Sequence, residues 1–205
     1  LLHGDYDADG ITGTAILYTG LRELGATIKT FIPNRITDGY GINLNRVEEH
    51  ANNCDVLITI DCGVANLQET KALQDRGVEV IITDHHSPKQ QLPNTLILHP
   101  TVLLDQPEKT SDLTGAGVAY HLLWAVRQQF NKNAPTNYTD LAAIGTLADV
   151  AKLTPENRAL IQSGLKQIKT SSTPGIKALA TDLRDPITSS DIGFKIAPRI
   201  NAAGR

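Results

Sequence analysis

Two short apolar runs in the first half of the chain constrain its fold more than any other feature. Residues 55–61 (DVLITID) and 78–84 (VEVIITD) are runs rich in β-branched residues, each with the length of one strand. Runs without a regular polar alternation are typical of strands that are buried on both faces, as in parallel sheets. Residues 64–76 lie between them and have the pattern of a helix that ends at Gly77. This strand–helix–strand order predicts two parallel strands joined by a crossover helix.

Further segments continue the same alternation. Residues 11–25 carry apolar side chains at helical spacing and end at a glycine. Residues 26–33 are rich in β-branched and aromatic side chains, and residues 95–100 form another short apolar run. The sequence therefore predicts an α/β fold with a parallel sheet of the five-stranded type and helices on both of its faces.

The pattern changes after residue 100, where helices replace the alternation of strands and helices. A polar loop is predicted at 105–112, helices are predicted at 117–130, 138–153 and 155–169, and a turn-rich break at 169–175 precedes a final helical stretch. We therefore expect two parts, an α/β core at residues 1–135 and a helical part at residues 136–205 that leads into a connector to a further domain.

Composition narrows the class of protein. The 205 residues include two cysteines without a CxxC pair and carry a formal net charge of −3, so the sequence indicates neither a disulfide framework nor a strongly basic surface. No apolar run approaches the roughly 20 residues of a membrane-spanning helix, and we expect a cytoplasmic protein. Because the chain contains no methionine, even at its first position, we also expect a piece of a longer protein.

Acidic residues and histidines follow three of the predicted strands. Residues 5–9 (DYDAD) follow a short first strand, Asp61 ends one apolar run, and residues 84–86 (DHH) end the next. Because ligands of parallel α/β sheets bind beyond the carboxyl ends of the strands, we expect these side chains to lie together. Such a cluster would repel itself without a cation, and oxygen ligands mixed with imidazole favour Mn²⁺ or Mg²⁺.

A further carboxylate, Asp149, lies in the apolar helical run 141–153. A charge there is costly to bury unless it is paired or binds a metal. Together the four segments offer roughly six ligands, which suits a two-metal centre. Each segment alone has an ordinary structural explanation, such as a turn, a helix cap or a structural histidine, and only their combination favours a metal site. No role is assigned to His50, His99 or His121.

Four motifs in order resemble the DHH phosphoesterase superfamily and, within it, the RecJ family of exonucleases. They are residues 3–10 (HGDYDADG), 58–63 (ITIDCG), 84–86 (DHH) and 145–150 (GTLADV), the last followed by 156–158 (ENR). The resemblance implies that Asp61 bridges two metals and that Asp84 and His86 act in catalysis or orient the ligands. Asp5 is counted with these catalytic residues as a hydrogen-bonding neighbour of the ligands. The metal ligands that it implies are His3, Asp7, Asp9, Asp61, His85 and Asp149.

Two further segments are similar to the RecJ family rather than to relatives that act on small substrates. Residues 32–41 (IPNRITDGYG) resemble its loop after the second strand, where Arg35 is a candidate for binding a phosphate through its planar guanidinium. Residues 198–205 (PRINAAGR) resemble its segment before a second domain, and they make Arg199, Asn201 and Arg205 candidates for binding substrate. Surface charge is the alternative for the arginines. The helix start at 115–117 (GAG) could likewise offer backbone N–H groups to a phosphate or be a plain helix end.

The resemblance implies a hydrolase that uses two Mn²⁺ or Mg²⁺ ions to cleave single-stranded DNA from 5' to 3' into 5'-mononucleotides, in DNA repair and recombination. It also implies a single-strand-binding protein and a helicase as partners. One alternative is a DHH-family nanoRNase or cyclic-dinucleotide phosphodiesterase. A second is a catalytically inactive DNA-binding scaffold, but that class predicts lost ligands, whereas this sequence contains all six.

Overall fold

A five-stranded parallel sheet forms the centre of the molecule, in the strand order β2-β1-β3-β4-β5. The computed structural model describes residues 1–102 and 112–203. The strands are β1 Leu2–Gly4, β2 Thr30–Phe31, β3 Val56–Ile60, β4 Glu79–Thr83 and β5 Leu96–Leu98. The predicted α/β class and the parallel sheet are confirmed.

The helices follow in an order close to the predicted one. They are α1 Ala8–Arg22, α2 Val47–Ala51, α3 Leu67–Gln74, α4 Gly115–Gln129, α5 Thr139–Ala148, α6 Pro155–Gln167, α7 Pro174–Leu179, α8 Ser189–Asp191 and α9 Ala197–Ala203, with a π-helical segment Ile192–Ile196 before the last. Side-chain caps define several starts, because Asp7, Thr114 and Thr154 accept hydrogen bonds from first-turn N–H groups of α1, α4 and α6.

The alternation of side chains along β3 separates two hydrophobic cores. Leu57 points to one face, where it joins Val80 and Ile82 of β4 and residues of α2 and α3. Ile58 and Ile60 point to the other face, which packs against α1, α4 and α5. Successive residues of a strand point to opposite faces, so a run that is apolar throughout needs a cover on both sides. Helices therefore cover both faces of the sheet, as predicted.

Three element boundaries differ from the prediction, and each difference has a local cause. Strand β2 is two residues long because, as an edge strand, it pairs only with β1, through Leu2↔Thr30 and His3↔Phe31. Helix α5 ends at Ala148, before the predicted 153, and Val150 adopts a φ of +56°, which a helix cannot continue. Helix α1 begins earlier than predicted because Asp7 caps it. Most of the predicted polar loop at 105–112 lies outside the described residues.

The helical part packs onto the α/β part through a shared core. Leu123 of α4, Ile144 of α5 and Ile192 belong to the same buried cluster as Ile16 of α1. The predicted boundary near residue 135 stays a prediction, since side chains from both sides of it complete one core. Among the described residues, no helix has the length and apolar character needed to cross a membrane.

The two cores predict how strand leucines differ in their contribution to stability. Leu57 is 0% exposed whereas Leu96, also on a strand, is 61% exposed. We expect Leu57→Ala to lower the free energy of unfolding by about 2–5 kcal/mol, because it leaves a cavity. Leu96→Ala should change it by about 0.5 kcal/mol or less, as is usual for surface positions. Urea unfolding measures the free energy of unfolding of both variants, provided that its dependence on urea concentration is unchanged. Equal losses in Leu57→Ala and Leu96→Ala would contradict the assigned core.

Candidate metal centre

The strand register brings three chain segments level at one edge of the sheet. Gly4 pairs with Ile60, and Ile60 pairs with Thr83, so the residues that follow β1, β3 and β4 emerge side by side. These residues are Asp5, Asp61 and Asp84. Their backbone N–H groups extend the ladder by donating to the carbonyl oxygens of Ile60, Thr83 and Leu98. The predicted convergence of acidic residues at the carboxyl ends of the strands is what the register produces.

Asp9 lies in the first turn of α1 and is buried against the start of α4. Its carboxylate accepts hydrogen bonds from the N–H of Gly115 at 2.6 Å, the N–H of Ala116 at 3.0 Å and the hydroxyl of Thr114 at 2.8 Å. A helix N-terminus favours a negative charge in this position. Burial nevertheless raises the pKa of Asp9 to about 7. The N–H groups of Gly115 and Ala116, considered above for a phosphate, therefore serve a carboxylate of the protein.

His85 lies among three carboxylates. Its Nε2 is 3.0 Å from Asp61 Oδ1, 3.7 Å from Asp9 Oδ2 and 3.9 Å from Asp149 Oδ2. Asp149 is the C-cap residue of α5, so the end of that helix supplies the carboxylate. In the part of the chain that the structure describes, three groups of three side chains have ligand atoms within 4.8 Å of one another, and they are Asp61-His85-His86, Asp9-His85-Asp149 and Asp5-Asp7-Asp61.

Several polar atoms of this cluster lack hydrogen bonds. Asp61 Oδ1, His85 Nε2 and Asp5 Oδ1 are buried and have no hydrogen-bond partner in the described part of the chain. Burial, followed by the charges of neighbouring aspartates, raises the pKa of Asp61 well above its usual value. Burial and the charge of His86 lower the pKa of His85 to about 4, so its imidazole is neutral and offers a lone pair. A divalent cation would satisfy these atoms, and the donor set fits Mn²⁺ or Mg²⁺.

Asp84 differs from Asp61 because protein N–H groups donate hydrogen bonds to both of its carboxylate oxygens. It accepts hydrogen bonds from the N–H of Val64 and His85 and from both the N–H and the Nδ1 of His86. Burial raises its pKa, but these hydrogen bonds together lower it. Because a carboxylate accepts, Nδ1 of His86 carries the proton and Nε2 is the atom left for other contacts. The bond to Asp84 also raises the pKa of His86.

Tyr40 contributes to the site although the sequence assigned it no role. Its hydroxyl donates to the carbonyl oxygen of Asp61 at 3.0 Å and lies 2.9 Å from Nδ1 of His86. The only signal in the sequence was its position in the Asp38-Gly39-Tyr40-Gly41 segment. The backbone of Asp61 adopts a φ of +63°, in the left-handed region that favours glycine and, less strongly, asparagine and aspartate, and the Tyr40 hydroxyl binds the carbonyl of this turn.

His3, the sixth predicted ligand, is not brought to the other five. Its Nδ1 lies 3.3 Å from Nε2 of His50, and its Nε2 lies 3.2 Å from the carbonyl oxygen of Gly41. Within the described ranges it belongs to none of the groups of ligand atoms that lie within 4.8 Å of one another. The prediction that His3 is a metal ligand therefore stays a prediction, and its side chain packs beside Phe31 of β2.

A cavity of about 300 Å³ adjoins the metal-ligand cluster and contains two of the predicted substrate-binding residues. Arg35 lines it, with its guanidinium carbon 5.2 Å from the centre of the Tyr6 ring. Asn201 also lines it, and its Oδ1 accepts a hydrogen bond from the N–H of Ala8 at 2.7 Å. Arg199 is exposed on α9 and does not line this cavity. Arg205 lies outside the described residues.

Comparison with known proteins agrees with this geometry. The profile of the DHH family, N-terminal domain, matches residues 1–146. Over 204 residues the chain is 49% identical to the single-stranded-DNA-specific exonuclease RecJ of Thermus thermophilus, with 100% of this chain and 30% of that protein covered. The RecJ of Bacillus subtilis is 37% identical over 215 residues, with 100% of this chain and 26% of that protein covered. The chain thus spans less than a third of the length of these relatives.

Solved structures show the same likeness in three dimensions. A crystal structure of exonuclease RecJ bound to manganese superimposes with a TM-score of 0.94 at 48% identity, covering 99% of this chain and 52% of that one. The RecJ of Thermus thermophilus in complex with Mg²⁺ superimposes with a TM-score of 0.73 at 41% identity, covering 99% of this chain and 26% of that one. On the four motifs, the family profile and these superpositions, the chain belongs to the DHH family.

Proposed function

We propose that the chain is the two-metal catalytic core of an exonuclease that hydrolyses single-stranded DNA. The observation that carries the proposal is the position of Asp61, whose unsatisfied Oδ1 faces the unsatisfied Nε2 of His85 at 3.0 Å. Asp61 also belongs to two of the groups of ligand atoms, which suits a carboxylate shared between two cations. The proposed ligands of two Mn²⁺ or Mg²⁺ ions are Asp7, Asp9, Asp61, His85 and Asp149.

The protein's own residues have separate parts in the proposed reaction. When bound, the cations supply a hydroxide from water at neutral pH and stabilise charge on the phosphoryl oxygens. Asp84 fixes the ring of His86 through Nδ1 and raises its pKa, and the doubly protonated imidazolium on the cavity wall then donates from Nε2 to a phosphate oxygen. Arg35, on the cavity wall, is placed to bind a phosphate through two parallel hydrogen bonds. Asp5 is a further candidate ligand, because it forms one group of ligand atoms with Asp7 and Asp61 and its buried Oδ1 has no partner in the described part of the chain.

The relatives named as single-stranded-DNA-specific exonucleases support the substrate class. From the resemblance of the motifs we further propose 5'-to-3' cleavage to 5'-mononucleotides, a cytoplasmic location and a role in DNA repair and recombination. A single-strand-binding protein and a helicase are proposed as partners on the same ground. A phosphodiesterase for short substrates is the competing activity, since it would use the same metal ligands.

A direct assay distinguishes the competing activities. In the presence of Mn²⁺, the chain is incubated in three parallel reactions. The substrates are a long 5'-labelled single strand, the same strand in a duplex, and a dinucleotide. We expect release of labelled mononucleotide from the single strand and little hydrolysis of the duplex. Faster hydrolysis of the dinucleotide alone would favour the small-substrate phosphodiesterase. Strand binding without hydrolysis in Mn²⁺ or Mg²⁺ would favour the inactive scaffold.

The assignment of Asp61 predicts a loss of metal binding that leaves the fold intact. Asparagine keeps the size of Asp61 and tolerates its positive φ, so Asp61→Asn should fold. Loss of a residue that only supports a metal ligand lowers metal affinity roughly 10–100-fold. Asp61→Asn removes a ligand itself, so its Mn²⁺ affinity should fall by at least this factor, and hydrolysis should be lost. Calorimetric titration with MnCl₂ measures the affinity, with Asp55→Asn, an exposed carboxylate before the same strand, as the control. Unchanged affinity in Asp61→Asn would remove it from the metal centre.

The role of Arg35 predicts that lysine is a poor replacement. Lys keeps the charge but loses the planar pair of donors that matches a phosphate. We expect Arg35→Lys to raise KM for a single strand about tenfold, the size of one charge-assisted hydrogen bond, while Mn²⁺ affinity stays unchanged. Arg76→Lys, at an exposed arginine after α3, is the control. A wild-type KM for Arg35→Lys would give Arg35 a structural role.

A further inference from the structure

His3 is the centre of a small buried aromatic cluster beside the metal centre. It is 1% exposed, and its partner His50 is 2% exposed. The ring centre of His3 lies 5.1 Å from that of Phe31 and 5.3 Å from that of His50, and the rings of Phe31 and His50 are 4.8 Å apart. Each ring contacts the other two, so the orientation of the His3 imidazole is fixed by packing.

The hydrogen bonds of His3 determine which of its nitrogens carries a proton. A carbonyl oxygen only accepts, so Nε2 of His3 donates to Gly41. Burial, helped by the charge of His50, lowers the pKa of His3 to about 4, and the ring is therefore neutral. Nδ1 then has no proton and accepts from Nε2 of His50. Both nitrogens are used, and the only lone pair of the ring points at His50 rather than at the carboxylates.

Gly41, whose carbonyl oxygen accepts from His3, is followed by a residue that is also fixed by hydrogen bonds. On the next residue, Asn66 accepts from the N–H of Ile42 at 3.2 Å and donates to its carbonyl oxygen at 3.2 Å. A Cβ on Gly41 would collide with the side chain of Asn66, and its φ of +76° also favours glycine. His3 and Asn66 thus hold two successive residues, and Tyr40 immediately precedes them. The Tyr40 hydroxyl reaches Asp61 and His86.

The rest of the loop is held together by its own polar groups. Asn34 Oδ1 accepts from the N–H of Ile36 and of Thr37. Asp38 accepts from the N–H of Asn34 and from Arg46, so the two ends of the turn are joined. Arg35 lies inside this turn. A displacement of Gly41 relative to the metal centre would therefore displace Arg35 as well as Tyr40.

We propose that His3 is a positioning residue of the substrate loop 34–41 and not a metal ligand. Its bond to Gly41 sets the distance between this loop and the metal centre, and so places Tyr40 against Asp61 and His86, and Arg35 against a phosphate. The role of Arg35 in this statement rests on the proposed function. In the superfamily a histidine four residues before an aspartate, as His3 is before Asp7, forms a ligand pair with it. Here the His3 ring packs against Phe31 of β2 instead.

Two substitutions separate the two nitrogens of His3. In His3→Gln the side-chain amide nitrogen takes the place of Nε2 and keeps the bond to Gly41. In His3→Asn the amide oxygen takes the place of Nδ1 and keeps the bond from His50 but not the one to Gly41. For each variant, MnCl₂ affinity is measured by calorimetry, kcat and KM are measured on a single strand, and a crystal structure is determined without metal.

We expect Mn²⁺ affinity within about twofold of wild type in both variants, because neither loses a ligand. KM should rise about tenfold in His3→Asn, the size of one buried hydrogen bond, and should be restored in His3→Gln. The crystal structure of His3→Asn should show Gly41 and Tyr40 displaced. Loss of Mn²⁺ affinity in both variants would show that His3 is a ligand and would overturn the proposal.

An undisplaced loop or a wild-type KM in His3→Asn would equally overturn it, since the bond to Gly41 would then position nothing. If His3→Asn does not fold, Mn²⁺ affinity of His3→Gln still decides between ligand and positioning residue. Failure of the proposed function looks different, because the wild-type chain itself would then not hydrolyse single strands. The metal-free structures and the Mn²⁺ titrations would test His3 in that case too.

Discussion

The burial of several carboxylates at one edge of a parallel sheet is the constraint on which the rest of the molecule depends. Asp9 is 2% exposed and Asp61 is 1% exposed, and within residues 1–102 and 112–203 the basic side chains that pair with them are histidines. A buried, unpaired charge is costly. The protein compensates Asp9 with the N-terminus of α4 but leaves Asp61 and His85 with unsatisfied atoms that face each other. Both carboxylates are proposed metal ligands, but hydrogen bonds from α4 orient Asp9, whereas Oδ1 of Asp61 has no partner in the described part of the chain.

The compensation works only because two helices approach the carboxylates closely. A Cβ on Gly115 would lie 2.6 Å from the carboxyl carbon of Asp61, so any other residue would push α4 away from the sheet edge. A Cβ on Gly145 would lie 2.6 Å from that of Ala116 and 2.7 Å from the hydroxyl of Thr12. These two glycines are therefore packing requirements of the site. Because Gly145 lets α5 approach α1 and α4, the end of α5 carries Asp149 to within 3.9 Å of His85.

The parts of this arrangement that the sequence predicted are those governed by one strand or one turn. Strands β3 and β4 are apolar because they are buried on both faces, and Asp61 and Asp84 follow directly from where those strands end. The position of His3 could not be predicted in this way. Its spacing from Asp7 indicates a ligand, but Phe31 and His50, which hold its ring, are distant in the sequence. Tyr40 escaped prediction for the same reason, since its hydroxyl acts on a backbone carbonyl that only the fold brings near.

The walls of the cavity extend this contrast between local and distant determinants. The cavity is lined by Asp7 among the proposed ligands, by Arg35 and Tyr40 of the loop at 34–41, and by Asn201 of α9, whose Oδ1 accepts from the N–H of Ala8. Ala8 lies between Asp7 and Asp9, and its N–H is one of the first-turn donors that α1 cannot satisfy itself. A residue from the far end of the described chain thus completes the turn that presents two proposed ligands. The proposed metal ligands can be inferred from short motifs. The lining of the cavity and the positions of the ligand atoms, in contrast, require that the whole chain from β1 to α9 is folded.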